Sequence, residues 1–201
     1  MEINNLFNIK GKVAVVTGGS RGIGEMITSG FLANGVKVYI SARKAPALIE
    51  KAKELTDKYG QECIAVPCDL SSIEGMEEFT DLISQKEEGI DFLVNNAGAA
   101  WGEPYETFSE KGWDKVMDLN VKSMFFLTQK MTNLLLKRAS LEDPSRVINI
   151  GSIDGLNVPA LETFSYSASK AAVHHLTRVM AAKLVKENIL VNAIAPGPYP
   201  S

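Results

Sequence analysis

The chain has 201 residues, of which 45% are apolar, and no Pro-, Gly- or Ser-rich linker divides it, so we predict one domain over residues 1–201 with a substantial core. Its formal net charge of −3 argues against nucleic acid or an anionic membrane as a partner. No apolar run reaches the ~18–20 residues that span a bilayer, and the N-terminus lacks the features of a signal peptide, so we expect a cytoplasmic protein.

The first predicted elements are a buried strand, a glycine-rich turn and a helix. Val13–Val16 is a short β-branched run, and the turn after it has the spacing G-x-x-x-G-x-G. Glycines let the backbone approach a pyrophosphate, and the N-terminus of a helix supplies oriented N–H groups. We therefore predict a phosphate loop. Its contact residues are Gly18, Ser20, Arg21, Gly22, Ile23 and Gly24.

The end of the second strand, Lys37–Ser41, lacks the carboxylate that NAD-dependent proteins usually place there. The chain has Arg43 at this point, and a second cation, Arg21, lies in the glycine loop. Charge-assisted bonds to a phosphate contribute roughly 1.5–3 kcal/mol each, so two arginines favour NADPH over NADH. The alternative is that Arg43 and Lys44 only begin a solvated helix.

Two cysteines flank the third predicted strand, Ile64–Val66. Cys63 and Cys68 lie five positions apart on this extended segment, which disfavours a disulfide between them. Two buried thiols in a reducing compartment are the better interpretation.

Further polar and glycine motifs follow the later strands. They are Cys68-Asp69-Leu70 after the third, Asn95-Asn96-Ala97-Gly98 after the fourth, Ile150-Gly151-Ser152 after the fifth and Pro196-Gly197 after the sixth, with Asn120 in an intervening helix. Ligands bind at the carboxyl ends of strands in open α/β sheets, so these motifs predict one shared site. Trp101 and Tyr105 follow Gly98, and both could line that site. The alternative for Trp101 is that it packs beneath the loop.

Tyr166 and Lys170 place a phenol and an ammonium four residues apart on a predicted helix, where both point to one side. A cation about 4 Å from a phenol, at an effective dielectric of about 20, favours the phenolate by roughly 4 kcal/mol. Such a pair can exchange protons near neutral pH. The alternative is a surface tyrosine beside a solvated lysine.

Taken in this order, the motifs resemble those of the short-chain dehydrogenase/reductase family over essentially the whole chain. The resemblance implies a doubly wound parallel α/β sheet of the Rossmann type and hydride transfer between NADP(H) and a small-molecule carbonyl or alcohol. Ketoacyl reductases look most similar, and reductases of sugar, steroid or xenobiotic ketones remain alternatives. A cofactor-binding sensor without turnover is a further alternative from a different class.

The resemblance also implies a role for each matched residue. Ser152 would hold the substrate oxygen, Tyr166 would be the general acid, and Lys170 would favour the phenolate and bind the nicotinamide ribose. Asn120 would hold a water that relays protons from Lys170. The implied cofactor contacts beyond the phosphate loop are Arg43, Asp69, Leu70, Asn96, Ala97, Gly98, Tyr166, Lys170, Pro196, Gly197 and Ser201.

Two helices, about 120–136 and 165–186, are apolar on more than one face. They are either fully buried in the monomer or, as the resemblance implies, the interface of a homodimer or homotetramer. His174 and His175 lie on the second helix, and we expect a structural role or a subunit contact for them, with no metal site.

The chain stops shortly after the sixth strand, where relatives in the family usually continue for roughly another 50 residues. The resemblance implies that this segment carries the substrate loop, the last helices and a seventh strand. We therefore expect the natural reading frame to continue beyond Ser201.

Overall fold

The computed structural model describes residues 7–198 and contains six strands and six α-helices in that range. The strands are β1 Val13–Thr17, β2 Lys37–Ala42, β3 Cys63–Pro67, β4 Phe92–Asn95, β5 Ser145–Ile150 and β6 Ile189–Ile194. The helices are α1 Gly22–Ala33, α2 Ala45–Tyr59, α3 Ile73–Ser84, α4 Glu110–Met117, α5 Ser123–Leu136 and α6 Phe164–Leu184.

All six strands pair in parallel, in the order β3-β2-β1-β4-β5-β6. The predicted doubly wound sheet is confirmed. After β3 the chain crosses to the other side of β1 and adds β4 there, so β1 and β4 are neighbours although 74 residues lie between the end of β1 and the start of β4. A crevice for a ligand opens at such a reversal, at the carboxyl ends of the strands.

The core lies in two layers, one on each face of the sheet. Successive residues of β1 alternate between them: Val13 and Val15 pack with the side chains of α3, α5 and α6, whereas Ala14 and Val16 pack with those of α1 and α2. This alternation is the period of two expected of a strand. Since both layers are apolar, β1 is buried along its whole length, as the sequence predicts.

A π-helical turn, Asp118–Lys122, joins α4 to α5 and was not predicted from the sequence. The prediction placed Asn120 in a regular helix. A π turn inserts one extra residue and redirects the side chains around it, and such turns are frequent at functional sites. Asn120 lies in the middle of this one and is buried.

The two cysteines are free thiols. Cys63 is buried, as expected, but Cys68 is only partly buried, because it follows the last residue of β3 and leaves the sheet. Burial raises the pKa of each thiol to about 12, so both are protonated near neutral pH.

Candidate active site

The glycine loop between β1 and α1 is shaped by close backbone contacts. A Cβ atom at Gly24 would lie 2.2 Å from the carbonyl oxygen of Gly18, so only glycine fits there. Gly18 and Gly22 both have positive φ, at +64° and +54°. A Cβ at Gly22 would meet no atom within 4 Å, so this side of the loop is open to a ligand.

Thr17 and Asn96 hold this loop against the end of β4. The Thr17 hydroxyl accepts hydrogen bonds from the backbone N–H groups of Asn96 and Ala97, both at 2.9 Å. The Asn96 side-chain amide donates to the carbonyl oxygens of Thr17, at 2.9 Å, and Gly18, at 3.2 Å. Asn96 therefore acts on the shape of the loop. Sequence reasoning did not assign a role to Thr17, although it ends a strand beside the glycines.

The ends of β2 and β3 bring Arg43 next to Asp69. Ala42 pairs with Pro67 in the sheet, so the residues after them are neighbours. The Asp69 carboxylate accepts hydrogen bonds from the backbone N–H and the hydroxyl of Ser71, and Arg43 is close enough to act on it electrostatically. These interactions, with the Ser71 backbone contribution largest, hold the pKa of Asp69 below its usual value.

The two predicted arginines are exposed at the edge of this crevice. Arg21 is the N-cap residue of α1, and Arg43 directly follows β2. Leu70, in contrast, is only 4% exposed and belongs to the core beneath the sheet, so its side chain serves packing.

Lys170 reaches from α6 to the end of β5. Its Nζ donates to the carbonyl oxygen of Ile150 at 2.7 Å, and it lies 5.5 Å from the centroid of the Tyr166 ring. Lys170 is only 6% exposed, and this burial lowers its pKa from 10.5 to about 8. The alternative of a solvated lysine beside a surface tyrosine is therefore wrong.

Asn120 connects three segments of the site. Its Oδ1 accepts from the backbone N–H of Ala99 at 2.8 Å, and its Nδ2 donates to the carbonyl oxygen of Ala99 and the hydroxyl of Ser169, both at 2.9 Å. A Cβ at Gly98 would lie 3.2 Å from Asn120 Oδ1 and 3.8 Å from Lys170 Nζ. The residues after β4 are thus packed against both Asn120 and Lys170.

Ser152 follows β5 and is 7% exposed. Its Oγ accepts a hydrogen bond from the backbone N–H of Asp154 at 3.1 Å, which leaves the hydroxyl proton available to a ligand. Ile153–Gly155 form a short 3-10 turn, and a Cβ at Gly155 would lie 2.5 Å from the backbone carbonyl carbon of Lys170. This glycine lets the loop after Ser152 close onto α6.

His174 also contacts Ser152 and was missed as a site residue. Its Nε2 lies 3.0 Å from the backbone carbonyl oxygen of Ser152 and 3.4 Å from the backbone nitrogen. The available signal was its position four residues after Lys170, which puts both side chains on one side of α6. His175, one residue later, is exposed.

Of the aromatic residues that follow Gly98, Trp101 is packed inside its loop and Tyr105 is exposed. The Trp101 ring lies against Gly112, where a Cβ would come within 2.3 Å of it, and Lys115 Nζ lies 4.4 Å from its centroid. Trp101 therefore packs beneath its loop. Tyr105 is 72% exposed and, with Phe108, contacts Phe164 at ring-centroid distances of 5.6 Å. These three rings and Trp113 line an open cleft of about 580 Å³.

The last predicted contacts follow β6. The carbonyl oxygen of Pro196 accepts from the backbone N–H of Ile153 at 3.1 Å, which fixes this segment beside Ser152. Gly197 is exposed, and Ser201 lies outside the described residues. Between residues 7 and 198 there is no cluster of three or more His, Cys, Asp or Glu that would suit a metal ion. No helix in that range is both long and apolar enough to cross a membrane.

Comparison with known proteins yields a family and a set of relatives. The family model for short chain dehydrogenases matches residues 12–201. The rhamnolipids biosynthesis 3-oxoacyl-[acyl-carrier-protein] reductase of Pseudomonas aeruginosa is 47% identical over 195 residues, covering 97% of this chain and 75% of the relative. The 2-dehydro-3-deoxy-D-gluconate 5-dehydrogenase of Escherichia coli is 38% identical over 200 residues, covering 97% of this chain and 74% of that protein.

The solved structures give the same picture. The Pseudomonas aeruginosa RhlG/NADP active-site complex superimposes with a TM-score of 0.94 at 47% identity, covering 97% of this chain and 75% of that one.

Proposed function

We propose that this chain, which belongs to the short chain dehydrogenase family and is an oxidoreductase, reduces a carbonyl group with NADPH as the hydride donor. One observation carries the proposal. The buried ammonium of Lys170, the Tyr166 ring, the Ser152 hydroxyl and Asn120 lie around the carboxyl end of β5, beside the segment that follows β4.

The residues present fit a dinucleotide phosphate. Gly18, Gly22 and Gly24 form a cradle that is open on the side of Gly22, where a Cβ atom would meet no other atom within 4 Å. Helix α1 begins at Gly22, so its N-terminus faces the cradle. Arg21 and Arg43 supply positive charge near the end of β2, which is not followed by a carboxylate of its own, and they would bind the 2′-phosphate. When bound, NADPH supplies the hydride.

The chain's own residues then handle the oxygen of the substrate. Reduction of a carbonyl leaves negative charge on that oxygen, which needs both a hydrogen-bond donor and a proton. The Ser152 hydroxyl, whose oxygen already accepts from Asp154, would donate to it and orient it. Tyr166 would deliver the proton, with the Lys170 ammonium favouring the phenolate that remains.

The low pKa of Lys170 predicts a pH dependence. Burial lowers this pKa to about 8, so the ammonium is mostly charged at pH 7 and loses its proton as the pH rises through 8. We expect kcat/KM for carbonyl reduction to fall above about pH 8. The measurement is the rate of NADPH consumption from pH 6 to 10. Lys170→Arg keeps its charge over that range and should shift the fall to higher pH; an unchanged profile would contradict the assignment.

We propose a 3-oxoacyl thioester as the substrate. The relative at 47% identity carries the name of a 3-oxoacyl-[acyl-carrier-protein] reductase, and an aromatic cleft adjoins the N-terminal turn of α6, two residues before Tyr166. The relative at 38% identity, named a 2-dehydro-3-deoxy-D-gluconate 5-dehydrogenase, favours a sugar-derived ketone as the second candidate.

NADPH consumption by the full-length protein separates these substrates. We expect turnover with a 3-oxoacyl thioester and NADPH, and far less with NADH. NADPH consumption only with the 5-keto derivative of 2-dehydro-3-deoxy-D-gluconate, the compound that a 5-dehydrogenase reduces in the reverse direction, would replace the thioester by the second candidate. Binding of NADPH without turnover of either class would reject both substrates and leave the steroid or xenobiotic ketones and the non-catalytic sensor as the alternatives.

We further propose a cytoplasmic homodimer or homotetramer assembled through α5 and α6. Val179 of α6 is 52% exposed, and Phe125 and Phe126 of α5 are only partly buried, so apolar surface remains on both helices. Light scattering of the full-length protein and of its Val179→Asp variant tests the assembly. We expect an oligomeric mass for the wild type and a smaller mass for the variant, and a monomeric mass for the wild type would reject the proposal.

A further inference from the structure

Helix α6 holds the end of β5 at two consecutive turns. Lys170 donates to the carbonyl oxygen of Ile150 at 2.7 Å, and His174 Nε2 lies 3.0 Å from the carbonyl oxygen of Ser152. Lys170 and His174 are four residues apart and therefore lie on one side of the helix. The carbonyls of residues 150 and 152 are thus fixed by adjacent side chains of the same helix.

The His174 ring also fills the space beside Gly151. A Cβ atom at Gly151 would lie 2.3 Å from Cε1 of the ring and 2.7 Å from Nε2. The imidazole is therefore in direct contact with the backbone that precedes Ser152. A side chain at Gly151 would displace the ring, and loss of the ring would leave a gap beside this backbone, which would then be held by the bond from the Gly151 N–H to the carbonyl oxygen of Ile194 at 2.7 Å.

The carbonyl oxygen of Ser152 has a second donor, the backbone N–H of Gly155 at 3.1 Å, within the 3-10 turn. The Ser152 hydroxyl in turn accepts from the N–H of Asp154 in that turn. The turn packs against α6 at Gly155, and His174 adds a direct contact between α6 and the Ser152 backbone itself. Since α6 also carries Tyr166 and Lys170, the imidazole contact links the backbone of Ser152 to the helix that holds those two groups.

We propose that His174 is a positioning residue: its Nε2–H donates to the Ser152 carbonyl and fixes the Ser152 hydroxyl relative to Tyr166. The expected effect on the reaction rate rests on the proposed function, whereas the contact between His174 and Ser152 does not. Nε2 could instead accept from the Ser152 backbone N–H at 3.4 Å, but the contact with the carbonyl oxygen is shorter, at 3.0 Å, and we therefore assign the proton to Nε2. Displacement of a catalytic group by about 1 Å can cost roughly 100-fold in rate.

The test compares His174→Leu with His174→Gln and His175→Leu in the full-length protein. Leucine removes the donor, glutamine keeps an N–H donor on a side chain of similar reach, and His175 is the exposed neighbour on the same helix. We expect His174→Leu to lower kcat roughly 10- to 100-fold with the KM for NADPH within about twofold of wild type. His174→Gln should recover most of the lost rate, and His175→Leu should match wild type.

Hydrogen exchange of residues 150–157, measured by mass spectrometry, separates this inference from the proposed function. His174→Leu should exchange faster there than wild type, because the N–H groups of Asp154 and Gly155 lose the support of Ser152, and His174→Gln should not. That comparison holds even if the wild-type protein turns over none of the carbonyl substrates, which would reject the proposed function alone. Unchanged exchange in His174→Leu, or equal losses of rate in the leucine and glutamine variants, would overturn the positioning role.

Discussion

Tyr166→Phe is expected to lower kcat by about 10²- to 10⁴-fold and to leave NADPH affinity almost unchanged. The variant keeps the aromatic ring that lies 5.5 Å from Lys170 Nζ, so the packing of α6 and the burial of the lysine should persist. It removes only the hydroxyl that would deliver the proton to the substrate oxygen. Steady-state NADPH consumption gives kcat, and fluorescence titration gives the dissociation constant of NADPH.

Tyr59→Phe is the matched control, since this tyrosine is the last residue of α2 and its ring interacts with Lys58, away from β5. It should keep the wild-type rate. A Tyr166→Phe variant as active as wild type would show that another group donates the proton. A wild-type protein that binds NADPH but reduces nothing would make the substitution silent and support the sensor hypothesis.

Replacing both Arg21 and Arg43 by alanine is expected to reduce the preference for NADPH over NADH by about 10²- to 10⁴-fold. Each charge-assisted bond to a phosphate is worth about 1.5–3 kcal/mol, and about 1.4 kcal/mol corresponds to a factor of ten. Both side chains are exposed, so their removal should not disturb the core. The measurement is kcat/KM with each cofactor at saturating carbonyl substrate.

The rate with NADH should stay near its wild-type value, because NADH has no 2′-phosphate for the two arginines to bind. Lys44→Ala is the control: Lys44 is the exposed N-cap residue of α2 and belongs to the alternative in which these cations only begin a helix. If Lys44→Ala changes the preference as much as the double variant does, the cofactor assignment of the arginines is wrong.

The elements of the fold were predictable because their signals are local. The β-branched run at Val13–Val16 and the glycines from Gly18 to Gly24 lie within single segments, and their physical requirements, burial on both faces and close backbone approach, are met by those residues themselves. The same holds for Tyr166 and Lys170, whose common side follows from helical spacing.

The roles of several side chains were not predictable, because they depend on partners far away in the chain. The resemblance implies that Asn96 contacts the cofactor, but the hydrogen bonds of its amide to Thr17 and Gly18 are visible only in the structure. The resemblance also named Leu70 as a cofactor contact, but only the structure shows that its side chain also belongs to the core.

The sequence by itself determined the family and the doubly wound parallel sheet, and it supplied candidates for most residues of the site. Tertiary structure alone decided that Lys170 is buried with a pKa near 8, that Asn120 lies in a π turn, and that His174 contacts Ser152. The physical reason is that periodicity and glycine geometry act within a few residues. Desolvation and hydrogen-bond pairing act between segments whose approach is fixed only when α6 packs on the end of β5.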